Sequence, residues 1–333
     1  MKTVKIGTSA ESIQKAADII RQGELVAFPT ETVYGLGANG LDVQAVGKIF
    51  TAKGRPQDNP LILHIADRED LAALVTHIPP QADALVEAFW PGPLTLIFEA
   101  ADIVPEAVTA GGKTVAVRMP AHPVALDLIK ASGVPLAAPS ANVSGRPSPT
   151  DADTVLTDLD GRIPIILDGG RTRIGLESTV LDLTTRPPMI LRPGFITEED
   201  LAPVIGPVAV DPQLKGQTPR SPGQKYRHYA PKAAVVIVEP YDVKAVLWEQ
   251  SKRQESGQRV LALLFDEDFT GAGDTAGLGS AADLSQMAHV LYKRLREADT
   301  AGYDVVVMPG VPRQGWGTAI MNRLDKAAGR TER

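Results

Sequence analysis

SPGQKYRHYAP, residues 221–231, divides the chain. Before it, strand-like and helix-like patterns run through residues 1–206; after it, a shorter and more regular βαβ series begins. A plain linker needs only solubility and reach, which Gly, Ser, Pro and small polar residues provide. This one holds two Tyr, one His, one Lys and one Arg between prolines. Two readings stay open: a tether packed on a domain surface, or a strap that closes over an anionic ligand.

Working outward, eight apolar runs on the N-terminal side read as strands. They are ELVAFPT (24–30), LILHIA (61–66), PLTLIFE (93–99), TVAVRMP (114–120), PLAAPSA (135–141), IPIILDG (163–169), STVLDL (178–183) and MILRPG (189–194). Helical periodicity separates several of them: Ile13, Ala16, Ala17 and Ile20 share one face, as do Val43, Val46, Ile49 and Phe50. TEEDLAPVIG (197–206) opens with a capping threonine and acids in its first turn. Strands that follow one another without a helix between them imply a mixed sheet. On the C-terminal side, AVVIVE (234–239), RVLALLF (259–265) and YDVVVMPGVP (303–312) alternate with helical stretches, around a Gly-rich loop at 266–280. That order predicts a small Rossmann-like sheet. The expected division is a catalytic domain at 1–206, a ligand-covering linker at 207–231 and a small domain at 232–333.

A length of 333 residues fits two domains. With 44% hydrophobic and 22% charged residues the composition is that of a soluble globular chain. The absence of cysteine excludes disulfides, thiolate metal sites and cysteine nucleophiles. No apolar run reaches the roughly 20 residues of a membrane span, and the N-terminus lacks a signal-peptide pattern, so a cytoplasmic location is the expectation. Residues 1–205 carry 17 basic and 25 acidic side chains and the remainder 17 and 15. Neither part is the basic domain that holds nucleic acid by counterion release. A polyanion site must then be a local pocket, although a cation-lined hollow for an RNA backbone remains the competing reading.

Two glycine patterns are decoys. GLGANG (35–40) matches the dinucleotide fingerprint, but Asp58, the acid near the required spacing, lies in a polar turn before its strand. AVTAGGKT (107–114) is one Gly short of a P-loop and feeds a strand, where a P-loop feeds a helix. KGRPQDNP (53–60) is stronger, with Lys53 and Arg55 at a helix end stiffened by two prolines; Arg offers a fork for phosphate and Lys a point charge. His64 inside LILHIA is either a satisfied core residue or part of a site. Arg118 on the apolar strand VAVRMP needs an anion, either a structural acid or a ligand carboxylate, and Arg192 in MILRPG poses the same question. SAN (140–142), SGRPSP (144–149) and ESTV (177–180) gather hydroxyls and an amide at strand ends. No nucleophile–base pair or metal motif stands out. Catalysis by positioning and charge stabilisation, as in phosphoryl or nucleotidyl transfer, fits this inventory.

PTETVYGLG, KGRPQDNPLILHI, VAVRMP, SANVSGRPSPT, LESTVLDL, ILRPG and SPGQKYRHYAP, in this order, resemble the threonylcarbamoyl-AMP synthase family in its long form. The resemblance spans essentially the whole chain. It implies a YrdC-like twisted mixed sheet with flanking helices, plus a small C-terminal domain. It further implies a nucleotidyltransferase that joins L-threonine, bicarbonate and ATP into threonylcarbamoyl-AMP and pyrophosphate. The product would pass to a separate tRNA threonylcarbamoyl transferase, with no stable nucleic-acid binding by this chain. The implied threonine pocket is Thr32, Tyr34, His64, Arg118, the backbone at Ala138, and Ser178. The implied nucleotide side is Lys53, Arg55, Asn59, Thr114, Ser140, Asn142, Ser148 and Arg192, with Tyr226 and His228 lent by the strap. Lys53, Arg55 and Arg192 would be the catalytic cations, and Mg²⁺ would accompany ATP, held mostly by phosphates and water.

Overall fold

Eleven strands form one mixed sheet in the computed structural model, which describes residues 2–211, 221–222 and 228–330. Their spatial order is Val4–Ile6, Ile165–Leu167, Val26–Phe28, Gly35–Asn39, Leu136–Ala137, Ile62–His64, Thr114–Arg118, Leu94–Glu99, Thr179–Asp182, Met189–Arg192 and Ala209–Val210. Parallel and antiparallel pairs interleave: Ile62–His64 runs parallel to Thr114–Arg118, which runs antiparallel to Leu94–Glu99. The eight apolar runs all contain a strand, and the sheet is mixed as expected. Gly35–Asn39 is an additional strand, paired with Val26–Phe28.

GLGANG is therefore sheet, and its glycines make room for neighbouring elements. A Cβ on Gly37 would sit 2.8 Å from Cε1 of Phe28, and one on Gly40 would sit 2.5 Å from Cδ2 of Leu63. No dinucleotide loop forms there.

The pleat of the central strands separates two environments, because side chains alternate between faces. Leu63, Val115, Val117, Leu96, Phe98 and Leu181 join the main core with Val46, Ile49, Leu85 and Leu201. Those partners come from helices Val43–Lys53, Pro80–Phe89 and Glu198–Ile205. The last of these begins with a full capping box between Thr197 and Asp200. A second core lies where helices Ala10–Arg21 and Pro123–Ser132 cover Val26, Phe28, Ile165 and Leu167. The alternate positions of the central strands form a small apolar cluster of their own: Ile62, Ala116, Ile97, Val180 and Leu191. The rows that carry it also carry His64, Arg118 and Arg192.

The chain divides into two compact units, Met1–Ser144 with Ser148–Lys225, and Gly145–Pro147 with Tyr226–Arg333. The second unit holds a four-stranded parallel sheet in the order Ala234–Val238, Val305–Pro309, Val260–Leu264, Thr275–Gly277. Its fourth strand lies inside the Gly-rich stretch read as a loop; it is three residues long, too short to show a period. Val246 of helix Val243–Glu255 packs on Val260, Ala262, Val305 and Val307. No helix of the described residues is long and apolar enough to cross a membrane.

The packing role of Gly40 is testable against Gly47, which lies mid-helix with nothing within 4 Å of a built Cβ. Gly40→Ala must push Leu63 and the Pro135 carbonyl aside and should cost about 1–3 kcal/mol. Gly47→Ala should instead stabilise by about 0.5–1 kcal/mol through helix propensity. Urea denaturation measures both; equal stability of Gly40→Ala and the parent chain would contradict the packing account.

Candidate active site

Arg118 ends its strand beside His64, its partner in the register, and is 4% exposed. A guanidinium at that depth needs acceptors around it. Its Nε donates to the Gly92 carbonyl at 3.1 Å and its Nη1 to the Thr32 hydroxyl at 3.1 Å. Its Nη2 lies 2.6 Å from Oε1 of Glu31, which is 2% exposed. The separation is that of an ion pair, but the N–H does not point along it, so neither group counts this contact as a hydrogen bond. The anion required by Arg118 is thus a protein carboxylate in this state. Glu31 stands inside the PTET motif, and sequence reasoning gave it no role; a counter-charge for a strand arginine was the signal available.

The loop that carries Glu31 and Thr32 is held from several directions. The Thr30 hydroxyl donates to the Val33 carbonyl at 2.6 Å and lies 2.9 Å from that of Thr32. The carbonyls of Glu31 and Thr32 accept from the amides of Ile174 and Gly175 at 2.8 and 3.0 Å. Gly92 has no room for a side chain, since a Cβ would lie 2.1 Å from the Phe89 carbonyl oxygen.

Arg192 repeats the arrangement beyond Leu94–Glu99, on Met189–Arg192 beside Thr179–Asp182. Its Nε donates to the Ser178 carbonyl and its Nη2 to the Ser178 hydroxyl, both at 3.0 Å. Thr95 completes that hydroxyl's surroundings at 2.8 Å. Thr95 was not anticipated, although a threonine in the row of PLTLIFE that alternates with the core leucines is the kind of polar break that marks a site. Arg118 and Arg192 each hold the hydroxyl of a residue assigned to the threonine pocket.

His64 is buried, and no described group bonds to its Nδ1. Burial chiefly, and the Arg118 charge next, push its pKa down from 6.5 to about 3, so the ring is neutral near pH 7. The Tyr34 hydroxyl is committed to the backbone: it donates to the Gly170 carbonyl at 2.7 Å and accepts from the Gly169 amide at 3.2 Å. Burial is the main cause of its raised pKa. Ala138 uses its amide on the Ile62 carbonyl at 3.0 Å.

The cations of KGRPQDNP are also engaged. Lys53 closes helix Val43–Lys53 ahead of a left-handed Gly54, and its ammonium donates to the carbonyls of Ser140 and Asn142. It therefore clamps the SAN turn to the helix. Arg55 donates to the carbonyls of Asn59 and Pro60 at 3.2 and 2.9 Å. Asn59 is 2% exposed and neither atom of its side-chain amide has a partner among the described residues. Ser140 donates to Asn142 Oδ1, and Ser148 to Glu177, another buried acid outside the anticipated set.

Thr114 stands apart from these groups. It shares a strand face with Arg118 but begins the strand, four residues away and roughly 13 Å at strand rise, paired with Glu99. It lines a cleft of about 670 Å³ with Lys113, Thr76 and Thr184. Tyr226 lies outside the described residues. His228 belongs to the second unit, where its ring tilts against Tyr229 with centroids 5.7 Å apart.

A family model named for Sua5, YciO and YrdC, described as telomere recombination, matches residues 18–194. The chain belongs to this Sua5/YciO/YrdC family. A second model, described as the threonylcarbamoyl-AMP synthase C-terminal domain, matches residues 196–329. Relatives within the Sua5/YciO/YrdC family include the threonylcarbamoyl-AMP synthase of Pyrococcus abyssi, 51% identical over 95% of this chain and 94% of its own length. That of Bacillus subtilis is 49% identical over 98% and 96%. The crystal structure of P. abyssi Sua5 complexed with L-threonine matches with a TM-score of 0.91 and 48% identity, over 99% of this chain and 97% of that one.

The neutral state of His64 has a measurable consequence. Its folded pKa is depressed, so below 6.5 the unfolded chain binds a proton that the native site refuses. Stability should fall as pH drops from 6.5 toward 3, with a slope from this group of up to about 1.4 kcal/mol per pH unit. His64→Asn should flatten that part of the pH dependence in denaturation at neutral and mildly acidic pH. Identical pH dependences in both proteins would mean that the fold does not hold the ring neutral.

Proposed function

We propose that this chain is an L-threonylcarbamoyladenylate synthase, condensing L-threonine, bicarbonate and ATP to threonylcarbamoyl-AMP and pyrophosphate. The observation that carries the reading is the pairing of two buried guanidiniums with two hydroxyls on one face of the sheet, Arg118 with Thr32 and Arg192 with Ser178. The relatives that match it along its length bear the same activity in their names.

In this reading Arg118 receives the threonine carboxylate through N–H groups left over from Gly92 and Thr32. The hydroxyls of Thr32 and Ser178 line the pocket, with Tyr34 shaping its wall and the Ala138 backbone its edge. Neutral His64 offers a hydrogen bond without adding a third charge beside two arginines. The threonine nitrogen forms a bond to the bicarbonate carbon with loss of water and a proton. A carbamate oxygen then attacks the α-phosphorus of ATP, and pyrophosphate leaves with the electron pair of the broken P–O bond. Such a step needs positioning and charge stabilisation more than a protein nucleophile.

Lys53, Arg55 and Arg192 supply the positive potential for the phosphates. The ammonium of Lys53 acts from beneath the SAN turn, where it holds Ser140 and Asn142 toward the nucleotide. The amide of Asn59, without a partner among the described residues, awaits a polar group of the nucleotide. Ser148 adds a hydroxyl, and Thr114 marks the far end of the same strand face. Tyr226 and His228 of the strap complete the proposed nucleotide set. Mg²⁺ enters as part of the nucleotide substrate, held mostly by phosphate oxygens and water. The product is a mixed anhydride that a separate transferase consumes to modify tRNA, in the cytoplasm.

Pyrophosphate release is the test. It should require L-threonine, bicarbonate and ATP together, with an AMP-containing adduct accumulating in equal amount. Release of ADP and phosphate, or pyrophosphate release indifferent to threonine, would overturn the proposal.

A further inference from the structure

Glu31 is a buried carboxylate with unmet demand. A carboxylate accepts hydrogen bonds at two oxygens, yet neither oxygen of Glu31 accepts one from any described residue. The nearby hydroxyls are occupied elsewhere, Thr30 with the Val33 carbonyl and Thr32 with Thr30 and Arg118. His122, whose pKa burial lowers and the Glu31 charge raises in part, also has an Nδ1 with no partner among the described residues. Nη2 of Arg118 lies close to Glu31 among the described residues, in a contact with ion-pair distance but without hydrogen-bond alignment. Burying an acceptor in this condition is costly unless something else completes it.

The missing group has to be a cationic donor that arrives beside Arg118. In an α-amino acid the carboxylate and the ammonium are three bonds apart. A ligand whose carboxylate sits on Arg118 therefore brings its ammonium within reach of a carboxylate that touches the same guanidinium. The Arg118–Glu31 pair matches such a ligand end for end. A neutral pair of sites accepting a zwitterion also leaves no net charge buried, which a lone arginine would not achieve.

We propose that Glu31 seats the α-ammonium of the amino-acid substrate, so that the pocket reads both charged ends of the zwitterion. This rests on Arg118 as the carboxylate seat. Glu31 then acts as a specificity residue: it rejects hydroxy acids that carry the same carboxylate and side chain but no ammonium. It also holds the nitrogen that must react, on the side of the pocket facing Arg118.

The test compares L-threonine with 3-hydroxybutyrate, the same skeleton without the amino group, by titration calorimetry on the full chain, alongside ATP. The parent protein should prefer L-threonine by roughly tenfold or more. Glu31→Gln should weaken L-threonine by roughly tenfold, leave 3-hydroxybutyrate within about threefold and leave ATP unchanged. A purely structural Glu31 would shift both acids together, and an unchanged preference in Glu31→Gln overturns the proposal. If Glu31→Gln does not fold, Glu31→Asp carries the test: it keeps the charge, so a retained preference supports the role and a lost one refutes it. Equal affinity of the parent protein for both acids is refutation without any variant. Failure to bind either acid, with ATP still bound, instead removes the amino-acid reading of the pocket itself.

Discussion

Arg118 and Glu31 set the terms for everything around them. Both are almost wholly buried, at 4% and 2% exposure, and they meet at 2.6 Å. Removing one partner from a buried pair leaves the other uncompensated, a loss of about 3–5 kcal/mol in comparable cases. The guanidinium is fixed by the Gly92 carbonyl and the Thr32 hydroxyl, and the carboxylate by a loop tied to Ile174 and Gly175. The pair is therefore a junction between a central strand, the PTET loop and the turn before Leu94–Glu99. Burial chiefly, and the Arg118 charge next, depress the pKa of His64 next door. Structure and site cannot be separated at this position, and substitutions there have to be judged for stability before they are judged for binding.

The pleat explains how one sheet carries both a core and a site. On Thr114–Arg118, Val115 and Val117 enter the main core while Ala116 and Arg118 face the other way. The same division holds on Ile62–His64, where Leu63 is core and His64 faces the other way, beside Arg118. A one-residue shift in register would exchange these sets, so the apolar partners that fix the register also aim the functional groups.

Much of this was legible in the sequence because it followed from burial. An arginine within VAVRMP and another in MILRPG announce buried charge, and both are almost wholly buried. The mixed sheet and the parallel second sheet followed from the order of apolar runs. Other features gave no such sign. GLGANG looks like a phosphate loop because glycine serves close strand packing as well as it serves ligands. Glu31 was invisible because pairing with Arg118 joins residues 87 positions apart, a distance that only tertiary structure closes. The saturation of Lys53 by the SAN turn was hidden for the same reason: a lysine at a helix end reads as a solvated cation until its carbonyl acceptors are located. Thr114 entered through resemblance alone, and strand geometry places it well away from Arg118.

The most direct measurement is a crystal structure of this chain with L-threonine. The account predicts the amino-acid carboxylate on Arg118, its ammonium within hydrogen-bond distance of Glu31, and its hydroxyl among Thr32, His64 and Ser178. Threonine bound away from Arg118, or an Arg118–Glu31 pair that contacts neither end of the ligand, would contradict it.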